Sequence, residues 1–318
     1  MDTKVLINVA IIFSVVEIVL GFLQYSLPSD HFLNRYADKE QVAGIASFGS
    51  YVRIAGTFSY LGGFYAFMLF FNFLLWTLLR RGYNGFLITF LTVAGMIVAL
   101  MSASRTTVYT YFFLIIVMLV TEGRQAKKVS RLLLQFVLIL GVAAIANFFL
   151  GDRLGIGKKA EAAWSNFDNR VQATRSVGEE RTRILGPLED IVFFTGSYPV
   201  IGVGLGATYQ GATATFGTSK YVQEYGYYEE EGARIILEGG FVLYLFRIFL
   251  FVFLFRRLRM PVFAKGVILV YIFLFIPIIF NVYNSIFFFL GLMLLDNTYA
   301  KEPATAKLPG YSRHHVYT

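Results

Sequence analysis

The chain has no cysteine, only three histidines (His31, His314 and His315) and little charge, with 15% of its 318 residues acidic or basic. Each shortage excludes something. Without cysteine there is no disulfide framework, no thiolate zinc site and no cysteine nucleophile. Three histidines, His31 and the adjacent His314 and His315, do not make a histidine-rich metal site. The low charge accompanies 57% hydrophobic residues and a mean hydropathy of +0.62, whereas a soluble domain is closer to half apolar and a quarter charged. Aromatic rings are abundant, with 34 Phe and 20 Tyr, as suits side chains in lipid and at its interfaces. The sequence predicts an all-α polytopic membrane protein.

A spanning helix needs about 20 apolar residues. Apolar runs at about 5–27, 60–79, 85–103, 107–121, 131–150, 234–255, 262–280 and 284–296 predict about eight transmembrane helices. Lys4 precedes the first run as in a signal peptide, but the run is too long for a signal core. No small-x-small cleavage site precedes Pro28, so it reads as a retained signal anchor. With eight spans, the basic clusters Arg80-Arg81, Arg124 to Arg131 and Arg256 to Lys265 share one side with Lys4, Lys301, Lys307 and Arg313. By the positive-inside rule that side is cytoplasmic. The net charge of +8 is thereby explained without nucleic acid. The chain then divides into helices one to five with an outer loop at 28–59 (residues 1–150), a large extracytoplasmic loop (151–233), helices six to eight (234–296) and a disordered, polar cytoplasmic tail (297–318) containing Pro303 and Pro309. No internal repeat is evident.

Three arginine-bearing motifs fall on the predicted outer face. YVRIAGTFSYLGG places Arg53 just before a span, and SASRTT places Arg105 in a tight hairpin between two spans. The large loop carries Arg170, Arg175, Arg181 and Arg183, and Arg234 stands at the next membrane entry. Guanidinium groups fork onto phosphate oxygens and keep their charge when partly desolvated, which suits a lipid-linked diphosphate. Boundary arginines also snorkel to ordinary lipid headgroups, and the residues alone leave both readings open. Gly202, Gly204 and Gly206 in PVIGVGLGATYQG do not reproduce GxGxxG, and Ala212 stands where a P-loop needs lysine. The ladder reads as a tight turn lying on the helices, with backbone N–H groups available to an anion. Glu238 follows Arg234 by one turn, so the two can pair at i,i+4; such a pair either orients Arg234 for substrate or neutralises two boundary charges. The Glu229–Glu231 run offers a candidate general base or a solvated acidic face. Glu17 and Arg247 fall near the middle of their spans, where ionisable groups are costly and usually paired, and their similar depth predicts a salt bridge between them.

The order of these motifs resembles the O-antigen ligase and polymerase family of bacterial envelope glycosyltransferases. The matching features are R-x-x-G-T-F (Arg53–Phe58), S-x-S-R (Ser102–Arg105), a large external loop with P-x-x-G-x-G-x-G (Pro199–Gly206), and E-G-G at a span entry (Glu238–Gly240). The resemblance implies a glycosyltransferase of the cytoplasmic membrane that uses no cofactor, metal or nucleotide sugar. Its substrate would be a glycan linked to undecaprenyl diphosphate, passed to a glycan acceptor at the outer face. Arg53 and Arg105 would hold the diphosphate, with Arg234 and Glu238 at the catalytic site. Arg170, Arg175, Arg181, Gly202, Gly204 and Gly206 would bind substrate. Membrane lipid and other polysaccharide-assembly membrane proteins are the implied partners. Ligase-type members carry a histidine in the large loop, and residues 151–233 contain none, so a polymerase is favoured over a ligase. Members usually have ten or more spans, so the chain is expected to be an N-terminally shortened one. The rival class is a non-catalytic accessory or transport protein for lipid-linked glycans.

Overall fold

The computed structural model describes residues 3–35, 47–48, 51–58, 61–123, 161–169, 172, 200–209, 217–225 and 231–300. These residues form helices α1 (Thr3–Ser26), α2 (Leu61–Arg81), α3 (Gly85–Met101), α4 (Arg105–Glu122), α5 (161–169), α6 (Lys220–Tyr225), α7 (Glu231–Arg257), α8 (Val262–Phe275) and α9 (Val282–Ala300). A single 3-10 turn, Phe32–Asn34, follows α1. A two-residue antiparallel ladder pairs Ser47 with Val52 and Phe48 with Tyr51.

Among the described residues, four segments are long and apolar enough to cross a membrane: α1, α2, α4 and the Arg234–Arg257 part of α7. The predicted runs at 85–103, 262–280 and 284–296 appear as α3, α8 and α9. The run at 131–150 lies outside the described residues. Helix α9 continues four residues past Asp296, so the tail begins later than its polarity suggested.

Helix α2 is the hub. Phe64, Phe67, Phe71, Phe73 and Trp76 are all fully buried along it, because it is apolar on every face and α1, α3, α4 and α9 pack around it. Close approach is bought with glycine: a Cβ at Gly291 of α9 would come within 2.7 Å of the Phe73 ring, and one at Gly95 of α3 within 2.4 Å of the Phe71 ring. Helix α2 ends in a Schellman turn, with Gly82 N–H on Leu79 C=O and Tyr83 N–H on Leu78 C=O, both at 3.1 Å. The Asn84 side chain then caps α3 by accepting from Phe86 N–H. The outer faces stay apolar. Val5, Val9, Ile12, Val16, Val19 and Leu23 project from one side of α1, exposed at helical spacing, which suits lipid and not water.

Helix α2 ends in Arg80 and Arg81, at the end of the bundle where α4 also ends. There the buried Glu122 carboxylate accepts from Trp76 Nε1 at 3.0 Å and Tyr299 OH at 2.8 Å, and pairs with Arg80 at 3.3 Å. The Arg80 guanidinium lies 3.6 Å over the Tyr299 ring. This rivet joins α2, α4 and α9. The candidate site residues lie at the opposite end.

Candidate functional site

Two of the three arginine motifs meet. Arg53 donates through Nε to the Ser102 carbonyl at 3.2 Å, across 49 residues of sequence. The turn it touches is tightly wound: Ala103 is buried with φ 48, a conformation that costs a non-glycine residue. Ser102 holds the turn by donating to Ala99 C=O at 2.6 Å and accepting from Ser104 N–H at 3.2 Å. Ser104 accepts from Thr107 N–H at 3.3 Å and caps α4. Arg105 is therefore the first residue of α4 and not a hairpin residue, standing half-buried at the positive end of an 18-residue helix.

The third motif is built differently. Helix α7 is broken at Gly240, which takes φ 62 and ψ −165, a region open almost only to glycine. In a continuous helix Glu231 and Arg247 would stand about 24 Å apart along the axis, further than two side chains can bridge. They form an ion pair at 3.4 Å, so the chain folds back at Gly240 into two arms. The glycine ladder clasps this break. Phe241 N–H donates to Val200 C=O at 2.8 Å, Val203 N–H to Leu237 C=O at 2.9 Å and Gly204 N–H to Glu238 C=O at 3.0 Å. The two backbones touch directly: a Cβ at Gly240 would fall 2.3 Å from the Val200 oxygen, and one at Gly202 2.4 Å from the Glu238 oxygen.

The Glu238 side chain completes the clasp. It is buried and accepts from Gly206 N–H at 2.7 Å, Thr208 N–H at 2.9 Å and Thr208 OH at 2.8 Å. It also pairs with Arg234 Nε at 3.0 Å, the i,i+4 contact expected from the sequence. The Arg234 guanidinium lies over two rings, 4.2 Å from the centroid of Phe280 and 4.8 Å from that of Tyr209. The anion held by the ladder amides of Gly206 and Thr208 is thus the chain's own carboxylate.

Two expectations are corrected. Glu17 and Arg247 do not pair. Glu17 accepts from the N–H of Thr57 at 3.0 Å and from its hydroxyl, while Arg247 pairs with Glu231 and donates to the Phe273 carbonyl. Nor is Glu231 on a solvated face: it is buried and accepts from Ile279 N–H at 2.6 Å and Phe280 N–H at 3.1 Å. Glu229 and Glu230 lie outside the described residues. Between α8 and α9 the backbone at 276–281 is not helical, and Glu231 is one of the side chains that satisfy it. Asn284 Nδ2 donates to Pro277 C=O at 2.7 Å, and Ser285 OH donates to Ile278 C=O. Irregular backbone in an apolar surround needs such partners.

The named site residues therefore form two clusters at the same end of the bundle. One joins Arg53 to the Ser102–Arg105 turn, and the other joins Arg234 and Glu238 to Gly202, Gly204 and Gly206. Arg170, Arg175, Arg181 and Arg183 lie outside the described residues. Nearby, α5 presents Phe167 to Tyr109 of α4, with ring centroids 6.1 Å apart. No protein-family model matches the chain, and no curated protein or solved structure does.

Sequence reasoning did not pick out Gln24 or Thr208. Gln24 was detectable as a polar residue seven positions after Glu17, on the same helical face. Thr208 carried no signal, because only the folded ladder brings it to Glu238.

Proposed function

We propose that the protein is a polysaccharide polymerase-like glycosyltransferase with about eight transmembrane helices. It moves a glycan from undecaprenyl diphosphate to a glycan acceptor at the outer face of the bacterial cytoplasmic membrane. The supporting observation is the contact of Arg53 with the Ser102–Arg105 turn. It brings two arginines separated in sequence to one end of the bundle, beside the N-terminus of α4. In this reading residues 151–233 are extracytoplasmic, and the basic end of the bundle faces the cytoplasm.

The chemistry is electrostatic. An acceptor hydroxyl attacks the anomeric carbon as the carbon–oxygen bond to phosphate breaks; the bonding pair leaves with the diphosphate, which also takes up the hydroxyl proton. Two pre-placed guanidinium groups and a helix N-terminus stabilise that growing charge. Arg234 and Glu238 support the site by holding the glycine ladder on the broken helix. The absence of histidine from residues 151–233 favours the polymerase over the ligase.

The test uses the full chain in nanodiscs with an undecaprenyl-diphosphate oligosaccharide extract. Wild type should lengthen the glycan and release undecaprenyl diphosphate. Arg53→Ala and Arg105→Ala should each slow this about a hundredfold, the usual loss on removing one stabilising donor. A wild-type ladder from the double variant would overturn the assignment. Lipid binding without elongation would point to an accessory or transport role.

A further inference from the structure

Four polar or small residues of α1 fall on one face at helical spacing: Ser14, Glu17, Gly21 and Gln24, all buried. The face they form is the seat of the R-x-x-G-T-F segment. Gly21 leaves room for Ile54, whose Cδ1 would lie 3.0 Å from a Cβ there. Gln24 Oε1 accepts from Ala55 N–H at 3.1 Å and Gly56 N–H at 2.8 Å. Its Nε2 donates to Gly56 C=O at 2.9 Å and Leu33 C=O at 2.8 Å. Glu17 takes both the N–H and the hydroxyl of Thr57. A Cβ on Gly56, which has φ +62, would fall 1.9 Å from Glu17 Oε2, so glycine is required there by space as well as by conformation. Asn34 fixes the far side, donating to the carbonyls of Gln24, Leu27 and Pro28 at 3.1, 3.2 and 2.8 Å.

The backbone at 54–57 lies in no helix or strand, so these α1 side chains supply the partners that regular structure would otherwise provide. A carboxylate within a span is expensive and is seldom kept without a task. Arg53 is the residue immediately before this anchored stretch, and its guanidinium spans from there to Ser102.

We propose that Glu17 and Gln24 are positioning residues, which fix the backbone at 54–57 and so set the place of Arg53 against the Ser102–Arg105 turn. Their bearing on the transfer reaction rests on the proposed function; their hold on the segment does not. Neither residue touches substrate in this scheme.

The test combines hydrogen exchange with binding of undecaprenyl diphosphate, both on the full chain in nanodiscs. Gln24→Ala should raise exchange at Ala55 and Gly56 about tenfold or more, and Glu17→Ala should do the same at Thr57. The amides of α2 and α4 should be unchanged, showing that the bundle is intact. Glu17→Gln keeps one carbonyl acceptor and should restore most of the protection at Thr57, whereas Gln24→Glu sets a carboxylate oxygen against the Gly56 and Leu33 carbonyls and should not restore it. In the binding arm, Gln24→Ala should weaken lipid affinity about as much as Arg53→Ala does, and the double variant should be no weaker than Arg53→Ala alone. Unchanged exchange at 55–57 in both alanine variants would overturn the proposal whatever the lipid does. So would lost protection with wild-type affinity, or additive losses in the double variant. A wild-type protein that binds no lipid would sink the proposed function, while the exchange arm would still decide whether α1 holds the segment.

Discussion

Gly240→Ala is the most exposed point of the clasp. The substitution does two separate kinds of harm. It forces alanine into φ 62 and ψ −165, which costs about 1–3 kcal/mol. It also drives a methyl group against backbone, 2.3 Å from the Val200 oxygen, 2.5 Å from the Gly202 nitrogen and 2.5 Å from the Ile201 carbonyl carbon. No flexible side chain is there to yield, so the ladder must move. That endangers the bonds of Phe241, Val203 and Gly204 N–H at 2.8, 2.9 and 3.0 Å, each with a net value of about 0.5–1.5 kcal/mol. Together the loss should reach about 2.5–7.5 kcal/mol. Gly204→Ala is the control: its φ is +108, but a Cβ there meets nothing within 4 Å, so only strain of about 1–3 kcal/mol applies. Opening free energies from hydrogen exchange at Val203, Gly204 and Phe241 would measure the difference. If alanine at 240 proved no more harmful than alanine at 204, the direct backbone contact between ladder and broken helix would be refuted.

Glu238→Ala should cost about 3–5 kcal/mol, because it strands the buried Arg234 charge and the amides of Gly206 and Thr208; exchange at those two amides reads the loss. Glu231→Gln and Arg247→Met should each destabilise by a similar amount, with the double variant milder than the sum; additive losses in reversible denaturant unfolding would exclude the pair. Glu122→Ala removes the acceptor of Trp76 Nε1 and Tyr299 OH and the partner of Arg80, and should cost about 2–4 kcal/mol with a changed emission from Trp76.

The helices were legible in the sequence because their apolar runs are long and α2 is apolar all round. The i,i+4 pair of Arg234 and Glu238 was legible for the same reason of local geometry. Depth matching misled for Glu17 and Arg247, since two charges at similar heights in a bundle need not lie on facing sides. Glu17 instead meets Thr57 in a non-helical segment, and Arg247 meets Glu231 at the start of α7 and the Phe273 carbonyl of α8. The break at Gly240 was hidden by hydropathy, which sums residues 234–257 without seeing a reversal. Gly239-Gly240 was visible as E-G-G, but its partner, the ladder at 200–206, is about forty residues earlier, and only the folded backbone joins them.

Helix α8 has 14 residues and so rises about 21 Å, against a hydrocarbon core of about 30 Å. Helix α1, with 24 residues, rises about 36 Å. The bundle thus has a tall flank and a short one. A bilayer in contact with α8 would have to thin beside it, at a fraction of a kcal/mol per Å of mismatch, and lipids with shorter chains would be favoured there. Bilayer thickness becomes a control variable for this protein: longer acyl chains load the α8 flank first, where the chain reversal and its glycine clasp are found.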